Sequence, residues 1–517
     1  MKHSKISDFE LTERLDAEFY RPEFIDNQKH LVELGCTVPL SNALKNIQLG
    51  YTGPTEIYYD PEGVYYLSSK NIVNGNIEIG ANTDKIGFEF HNGKLSKTKV
   101  FSGDVLISRT GSVGKCALIG GNDKEFNIAA HLIALRINNN FDSAYISCFF
   151  NTKFGKNQSI RLQRGTIIQG LSIFDVPNIL IPNYSKQAQI YIGNKVRQAE
   201  FLREWAKDKD EEIQTYHQTF IPVQTKLDFA KKTRLVSTQQ MTERMDAHFY
   251  PGVVDTYLNQ DLDSFGNLSS CCISIFNGQT QPEGENNCCE QVTVANLSPD
   301  YIKGQPREVE APSKNEKFTK KYDLLMCNAA HNKSYIGKDI TFVHSDKPLL
   351  PSTEVMVIRT DPSKIPASYL RTYLLSKLGY VQIQSTIRGI TAHSYPVDMA
   401  KLDIYIPKLT GKELISWLAT DELLAKAGVA SECSSRLTVT TKLIMEALIE
   451  GLLSEDEIIT AQQALENGDD TKDKAILRKL TDKGYAAKDG KPLFSDLDTL
   501  YELLDEAELD QKEKEQN

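Results

Sequence analysis

The sequence predicts an α+β chain: a tandem duplication of a mixed, strand-rich domain, each copy followed by a long helix, the two helices packing as an antiparallel coiled coil. Three observations predict it: a repeat at a nearly constant offset, short strand-like runs between turn residues inside each copy, and a helical period after each copy.

The repeat carries the most weight. Thr12-Glu13-Arg14-Leu15-Asp16-Ala17-Glu18-Phe19-Tyr20 returns 230 positions later as Thr242-Glu243-Arg244-Met245-Asp246-Ala247-His248-Phe249-Tyr250, identical at seven of nine places. Gly50-x-Thr52-x-Pro54 is matched by Gly278-x-Thr280-x-Pro282 at 228. Asp104 meets Asp323, while Gly114-Lys115 and Arg136 meet Gly337-Lys338 and Arg359 at 223. Tyr145, Lys153, Gly155, Gln158 and Arg164-Gly165 meet Tyr369, Lys377, Gly379, Gln382 and Arg388-Gly389 at 224. Ile181-Pro182 meets Ile406-Pro407 at 225. Matches in one order at a nearly constant offset mark a duplication.

Inside the first copy, Val64 to Leu67, Val105 to Ser108, Leu132 to Ile137 and Ile179 to Ile181 read as strands, with Gly, Asn and Asp turns between them. Ser143 to Phe154 reads as a helix, and Ala367 to Lys377 as its counterpart. From Lys186 to about Phe220 only Gly193 interrupts a helical pattern, with Ile192, Val196, Ala199 and Leu202 on one face. At about 1.5 Å per residue this is a rod of roughly 50 Å. Lys412 to Leu453 is the second rod, striped by Leu437, Ile444, Ala447, Leu448 and Leu452 and interrupted near Gly428. Two such helices pair most simply as an antiparallel coiled coil. The resulting division is an N-terminal segment 1–35, a first domain 36–184, a helical spacer 185–235, a second domain with its repeat segment 236–408, a second spacer 409–453 and an acidic helical tail 454–517.

Length and composition fit this plan. The 517 residues exceed one ordinary domain, and 40% hydrophobic with 9% aromatic residues are globular values. Met1-Lys2-His3-Ser4 passes into mixed polar sequence without an apolar signal core, so a cytoplasmic protein is expected. Nine cysteines read as free thiols. The pairs Cys271-Cys272 and Cys288-Cys289 lack the C-x2-C spacing that suits zinc and read as buried thiols. The net charge of −10 is concentrated in the tail, where residues 454–517 hold eighteen acids against nine bases. The body is close to neutral, which leaves room for local basic patches on which phosphate binding depends.

Candidate nucleic-acid contacts follow from residue type at turns. Ser108, Arg109, Thr110, Ser112 and Lys115 combine hydrogen-bonding groups with glycines that let backbone approach a phosphate. Lys156, Arg161 and Arg164, with Gln158 and Gln163 between them and Gln169 beyond, form a basic stretch without an acid; Arg can pair with guanine and Gln with adenine. The second copy offers Lys377, Gln382, Gln384 and Arg388, then Thr391 and His393, together with His331, Asn332, Lys333 and Lys338. Lys70, Asn71 and Asn296 follow predicted strands, where Asn also caps turns. Each stretch is equally readable as a solvated loop.

Catalytic motifs are not found. A phosphate loop would need Gly at Arg109 and Ser or Thr at Cys116. No G-x-G-x-x-G, H-E-x-x-H or G-x-S-x-G occurs, nor Asn or Asp before Pro-Pro and an aromatic. A non-catalytic chain without bound cofactor or metal is expected.

The two-copy plan, the run Gly103-Asp-Val-Leu-Ile-Ser-Arg-Thr-Gly-Ser-Val-Gly-Lys115, Arg164-Gly165 closing on Ile181-Pro182, and the helix end Ala447-Leu448-Ile449-Glu450-Gly451-Leu452 together resemble the specificity subunit of type I restriction-modification systems, over roughly residues 13 to 453. The resemblance implies two target-recognition domains, each reading one half of a split site in double-stranded DNA. Helical spacers would set the gap and hold two adenine methyltransferase subunits, which carry S-adenosylmethionine; motor-nuclease subunits join for cleavage. The second copy has Met326-Cys327-Asn328-Ala329-Ala330-His331-Asn332-Lys333 where the first has Ile107-Ser108-Arg109-Thr110-Gly111, so the two would read different bases. The tail lies outside the resemblance and reads as a partner-binding appendix or a small helical cap. A duplicated protein-interaction scaffold and a stand-alone DNA-binding regulator remain open.

Overall fold

The computed structural model describes the chain except residues 1–10, 13, 81–82, 122–124, 166–168, 223–234, 237, 239–240, 242, 247–248, 251–263, 285–287, 315, 481–496 and 517. Positions 13, 242, 247 and 248 of the repeated nonapeptide therefore lie outside the described residues.

In the first copy α1 spans Pro22–Glu33, α2 Ser143–Asn151 and α3 Lys153–Arg161. The spacer helix α4 is Lys186–Gln218. In the second copy α5 is Ala367–Leu375 and α6 is Lys377–Ser385. Then come α7, Gly411–Leu418, and α8, Thr420–Ile449. The tail forms α9, Glu455–Glu466, α10, Thr471–Leu480, and α11, Leu497–Gln516. Two compact units result: residues 1–203 with 433–517, and residues 204–432. Their boundaries fall inside α4 and α8, so each long helix contributes to both.

The duplication is visible in the sheets. In the first unit, Leu44–Leu49, Leu132–Ile137, Val105–Ser108 and Cys116–Leu118 lie side by side in that order. In the second, Cys272–Asn277, Val355–Thr360, Leu324–Cys327 and Ile340–Phe342 repeat the arrangement. All pairings in both are antiparallel. Their central strands Val105–Ser108 and Leu324–Cys327 are buried at every position, as a strand covered on both faces requires.

Several of the residues identical in the two copies are architectural. Arg136 grips Asp104 through Nε and Nη2 at 2.9 and 2.7 Å, and Arg359 grips Asp323 at 2.8 and 2.7 Å. Gln158 donates to the Leu180 carbonyl and accepts from its amide; Gln382 does the same with Asp403. The Tyr145 hydroxyl donates to Pro182 O and that of Tyr369 to Tyr405 O, both at 2.8 Å.

The predicted helix Ser143 to Phe154 is two helices. Thr152 turns extended at φ −70°, ψ 164°, and its hydroxyl caps α3 by accepting from Gly155 N. Ser376 repeats the break, capping α6 at Gly379 N. A Cβ on Gly155 would stand 2.4 Å from Phe149 O, and one on Gly379 2.2 Å from Tyr373 O. The bend needs glycine at both places.

The second spacer is interrupted near Ala419, where α7 ends, rather than at Gly428. Gly428 lies inside α8 because a side chain would collide with His344, whose Cβ is 2.4 Å from the position a Cβ would take. Leu437, Ile444, Ala447 and Leu448 are buried as predicted, whereas Leu452 is exposed.

Within the first unit the long helices run antiparallel. As the chain advances from Tyr184, whose hydroxyl meets Leu448 O, to Ala199, whose carbonyl accepts from Ser434 Oγ, its partner falls back from 448 to 434. Arg203 adds hydrogen bonds to Ser434 and Thr438. The tail completes this unit as a helical cap. Asp473 on α10 is fully buried and takes Lys195 and the hydroxyls of Tyr191 and Tyr501.

In the second unit α4 is held by another buried ion pair. Arg371, 1% exposed, places Nη1 and Nη2 at 2.6 and 2.8 Å from the Asp210 carboxylate and donates to Pro299 O. Nearby, His217 is buried with neither ring nitrogen hydrogen-bonded, packed on Tyr369. The cysteine pairs are free thiols. Cys271 is buried, Cys272 and Cys289 are half-buried and Cys288 is exposed, so the expectation of buried thiols fails at 288. Desolvation pushes the Cys272 thiol up to about 12. Among the described residues no three His, Cys, Asp or Glu side chains converge to hold a metal ion.

These buried charges and His217 make two predictions. Asp210→Ala leaves the buried guanidinium only the Pro299 carbonyl and a longer 3.5 Å contact to Asp300 and should cost the second unit about 3–5 kcal/mol, whereas Asp210→Leu with Arg371→Leu should cost less than either change alone, as urea unfolding will show. Burial and the Arg371 charge hold the His217 pKa at about 3 against an ordinary 6.5. Below pH 6.5 the unfolded chain takes up a proton that the folded unit refuses. Stability should therefore fall by about 1.4 kcal/mol per pH unit from 6.5 towards 3. Hydrogen exchange in residues 367–375 should show this slope, and His217→Phe should flatten it.

Candidate nucleic-acid interface

In the first unit the strand Val105–Ser108 runs out into the turn Arg109-Thr110-Gly111-Ser112. Ser108 is buried and its hydroxyl donates to Thr110 O at 3.1 Å, so it shapes the turn from below. Arg109 N bonds His131 O, and Arg109 O and Nε both bond the backbone of Leu171. Thr110 bridges Gly170, and its hydroxyl lies 2.7 Å from Nδ1 of the exposed His131. Gln163–Arg164 pairs with Gly170–Leu171. Turn and hairpin thus form one platform carrying Arg109, Thr110, exposed Ser112 and His131, half-buried Gln163, and exposed Arg164 and Gln169. Arg164 forms a two-point ion pair with Asp175 at 2.7 and 2.8 Å, which orients its guanidinium.

The basic stretch 156–164 is less basic at the surface than its sequence suggests. Arg161 is turned inward: Nε donates to Phe19 O, Nη1 reaches Gln28, and the guanidinium lies 4.2 Å above the Phe19 ring. Gln158 is buried on Leu180. Lys156 and Lys115 stay exposed. Crowding by protein on one side, with the ammonium groups of Lys442 and then Lys115 alongside, holds the Lys156 pKa below the usual lysine value, against the pull of Glu446. Lys115, Lys156 and Lys442 are thus a cluster of like charge, and like charge gathered at a surface suits a polyanion. Sequence reasoning missed Lys442, on α8, and His131, because neither is near the platform in sequence.

In the second unit Asn328 is buried on Thr353 O, its carbonyl takes Ser394 N, and Ala329–Ala330 pairs with Ala392–His393. This equivalent platform carries His331, Asn332 and Lys333 on a longer, exposed loop. Asn332 caps the turn Lys333–Tyr335 through Ser334 N and Oγ. Gln384 fastens the loop by donating to Lys333 O and Ile336 O. Lys338 stands over the Tyr335 ring, and Lys377 and Thr391 are exposed. Arg388 pairs with buried Asp398; His393, half-buried, stacks on Tyr395 and its Nδ1 lies 2.6 Å from Thr391 O. Gln382 is buried.

Asn71 and Asn296 are not at either surface. Both are buried: Asn71 Oδ1 accepts from Ser68 N and its amide donates to Glu78 O and Thr83, while Asn296 serves Thr293 N and Lys303 O. Capping accounts for both side chains, so they drop out of the candidate contacts. Lys70 is exposed and pairs with Asp84 at 3.1 Å.

Each platform is latched by the repeated nonapeptide. Arg14 pairs with Asp16 and donates to the carbonyls of Arg161 and Gln163, where the hairpin begins. Arg244 pairs with Asp246 and holds the carbonyls of Thr386 and Ile387. The Tyr20 and Tyr250 hydroxyls return to Arg14 O and Arg244 O.

The class defined by this geometry is a duplicated α+β protein with two latched turn-and-hairpin platforms and long spacer helices. Solved structures similar to it over most of the chain are S subunits of type I restriction-modification systems. The S subunit from M. genitalium is 14% identical, with 81% of this chain and 96% of that one covered at a TM-score of 0.41. The HsdS subunit from Thermoanaerobacter tengcongensis is 16% identical, with 82% and 95% covered at 0.24. A chain from a structure of type I system assembly and conformational transition is 16% identical, with 82% and 96% covered at 0.28. No family model matches the sequence, and no curated protein matches it.

Replacing either capping asparagine separates scaffold from surface. Asn71→Ala and Asn296→Ala should each cost about 1 kcal/mol of stability, read as a lowered Tm of the affected unit, while leaving the salt dependence of any nucleic-acid binding unchanged.

Proposed function

We propose that this chain is the sequence-specific DNA-recognition subunit of a type I restriction-modification complex. One observation carries the reading: the platform is built twice on matching scaffold residues, yet its surface residues differ, half-buried Arg109 and Thr110 with exposed Ser112 in one and exposed His331, Asn332 and Lys333 in the other. Two copies of one frame bearing different hydrogen-bonding groups suit a bipartite site in double-stranded DNA whose halves differ in sequence.

The roles divide by position. Lys115, Lys156 and Lys442 hold phosphates; they position the protein and carry no sequence information. Arg109, Thr110, His131, Arg164 and Gln169 face one half-site, and His331, Asn332, Lys333, Arg388, Thr391 and His393 the other. The helical spacers, as an antiparallel coiled coil, set the distance between half-sites and dock two adenine methyltransferase subunits. Those partners bind S-adenosylmethionine and flip the target adenine, and motor-nuclease subunits add cleavage. The chain itself holds no cofactor, performs no covalent step and works in the cytoplasm.

The test is DNA binding by the full chain with its co-purified partners across a salt series. The logarithm of affinity should fall linearly with the logarithm of salt concentration. Replacing Lys115, Lys156 and Lys442 by Ala should reduce the slope by about 0.9 for each phosphate no longer neutralised, without changing which sequence is preferred. Binding that ignores salt would overturn the proposal and favour a protein-interaction scaffold.

A further inference from the structure

Ile390 has the greatest exposure of any large apolar side chain recorded among the described residues, at 107%. It is also held firmly. Arg388 and His393 exchange backbone hydrogen bonds at 2.8 and 3.0 Å, closing a hairpin with Gly389 at φ +80° and Ile390 at its tip. The Arg388 guanidinium is fixed on buried Asp398, and Arg244 holds the Thr386 and Ile387 carbonyls at 2.9 and 3.2 Å where the hairpin begins. Buried Thr386 and Ser394 join hydroxyls at 2.6 Å across its base. A β-branched side chain on so rigid a turn keeps few rotamers, so little freedom is lost if it meets a ligand.

The pairing of Ala330 with Ala392 settles what stands beside it. Because these strands run antiparallel and pair up to Ala330 and Ala392, His331 leaves the one strand where Thr391 leaves the other, and Asn332 and Lys333 follow on the same exposed loop. One projecting aliphatic group thus shares the end of this ribbon with residues that carry imidazole, amide, hydroxyl and ammonium groups. The major groove of duplex DNA has the matching chemistry: base-edge donors and acceptors, phosphates at its margins, and one kind of aliphatic group, the 5-methyl of thymine. A two-stranded ribbon fits that groove.

We infer that Ile390 is a specificity-determining residue that reads the 5-methyl group of one thymine in the half-site faced by the second unit. This rests on the DNA-recognition function proposed above and adds the base feature recognised.

The experiment uses the full chain with its co-purified partners. A preferred duplex is first selected from a randomised pool, and each thymine in it is then replaced singly by deoxyuridine, which lacks only the methyl. One replacement should weaken wild-type binding about fourfold, the worth of one buried methyl. Ile390→Ala should bind the parent duplex at least as weakly and lose its sensitivity at that position alone, whereas Ile390→Val should retain it. Wild-type indifference to every replacement, on a duplex it still selects, would overturn the inference and leave DNA recognition standing. So would an Ile390→Ala profile identical to wild type, or a variant that binds DNA normally but loses a co-purified protein. Failure to enrich any duplex would instead overturn the DNA-recognition reading itself.

Discussion

A charge buried in protein is tolerated only when its partner stands in the right place, and α4 is fixed by two such charges. Lys195 reaches Asp473 in the first unit, and Asp210 takes both terminal nitrogens of Arg371 in the second. Apolar stripes alone let a helix slide by a turn at modest cost, because leucine exchanges for leucine. A buried carboxylate does not slide, since every other register leaves it unpaired. The same logic holds each hairpin, where an arginine paired with an aspartate grips two backbone carbonyls. Positions of the exposed turns therefore derive from interior polar contacts that admit one arrangement.

Within each unit this separates frame from face. The ion pairs Arg136–Asp104 and Arg359–Asp323, the glutamines on Leu180 and Asp403, and the arginine latches recur because the same frame must be held twice. None of these side chains is free to meet a ligand. Residues that project from the turns share no such obligation and have diverged between copies. A preformed frame also keeps the entropic cost of recognition low, because the loops need little ordering when a partner arrives.

The sequence made the duplication, the strand Val105–Ser108 and both spacer helices legible, because each rests on a local period or an internal match. It was misleading where a tertiary contact decided the matter. Gly428 looked like a helix break, but it is a small residue under His344. Arg161 looked like part of a surface patch, but Phe19 draws it inward. Asn71 and Asn296 have the residue type for reading a base and are occupied by capping instead. Internal matching favours the frame over the face: it found the ion pairs and glutamines that the fold requires twice, along with Lys115 and Arg164, while Ile390, His131 and Lys442 have no identical counterpart to expose them.

The chain order of the two units has a consequence for synthesis. The second unit is continuous, residues 204–432, while the first is interrupted by it and completed only by residues 433–517. On a ribosome adding about 5–20 residues per second, the nascent first unit waits roughly ten to fifty seconds between the emergence of Arg203 and that of Cys433. During that interval Tyr191 and Lys195 have no Asp473, and Ala199 has no Ser434. The inserted unit can close first, leaving the host unit as an open intermediate with an apolar helix face uncovered, and that is the species a chaperone would meet.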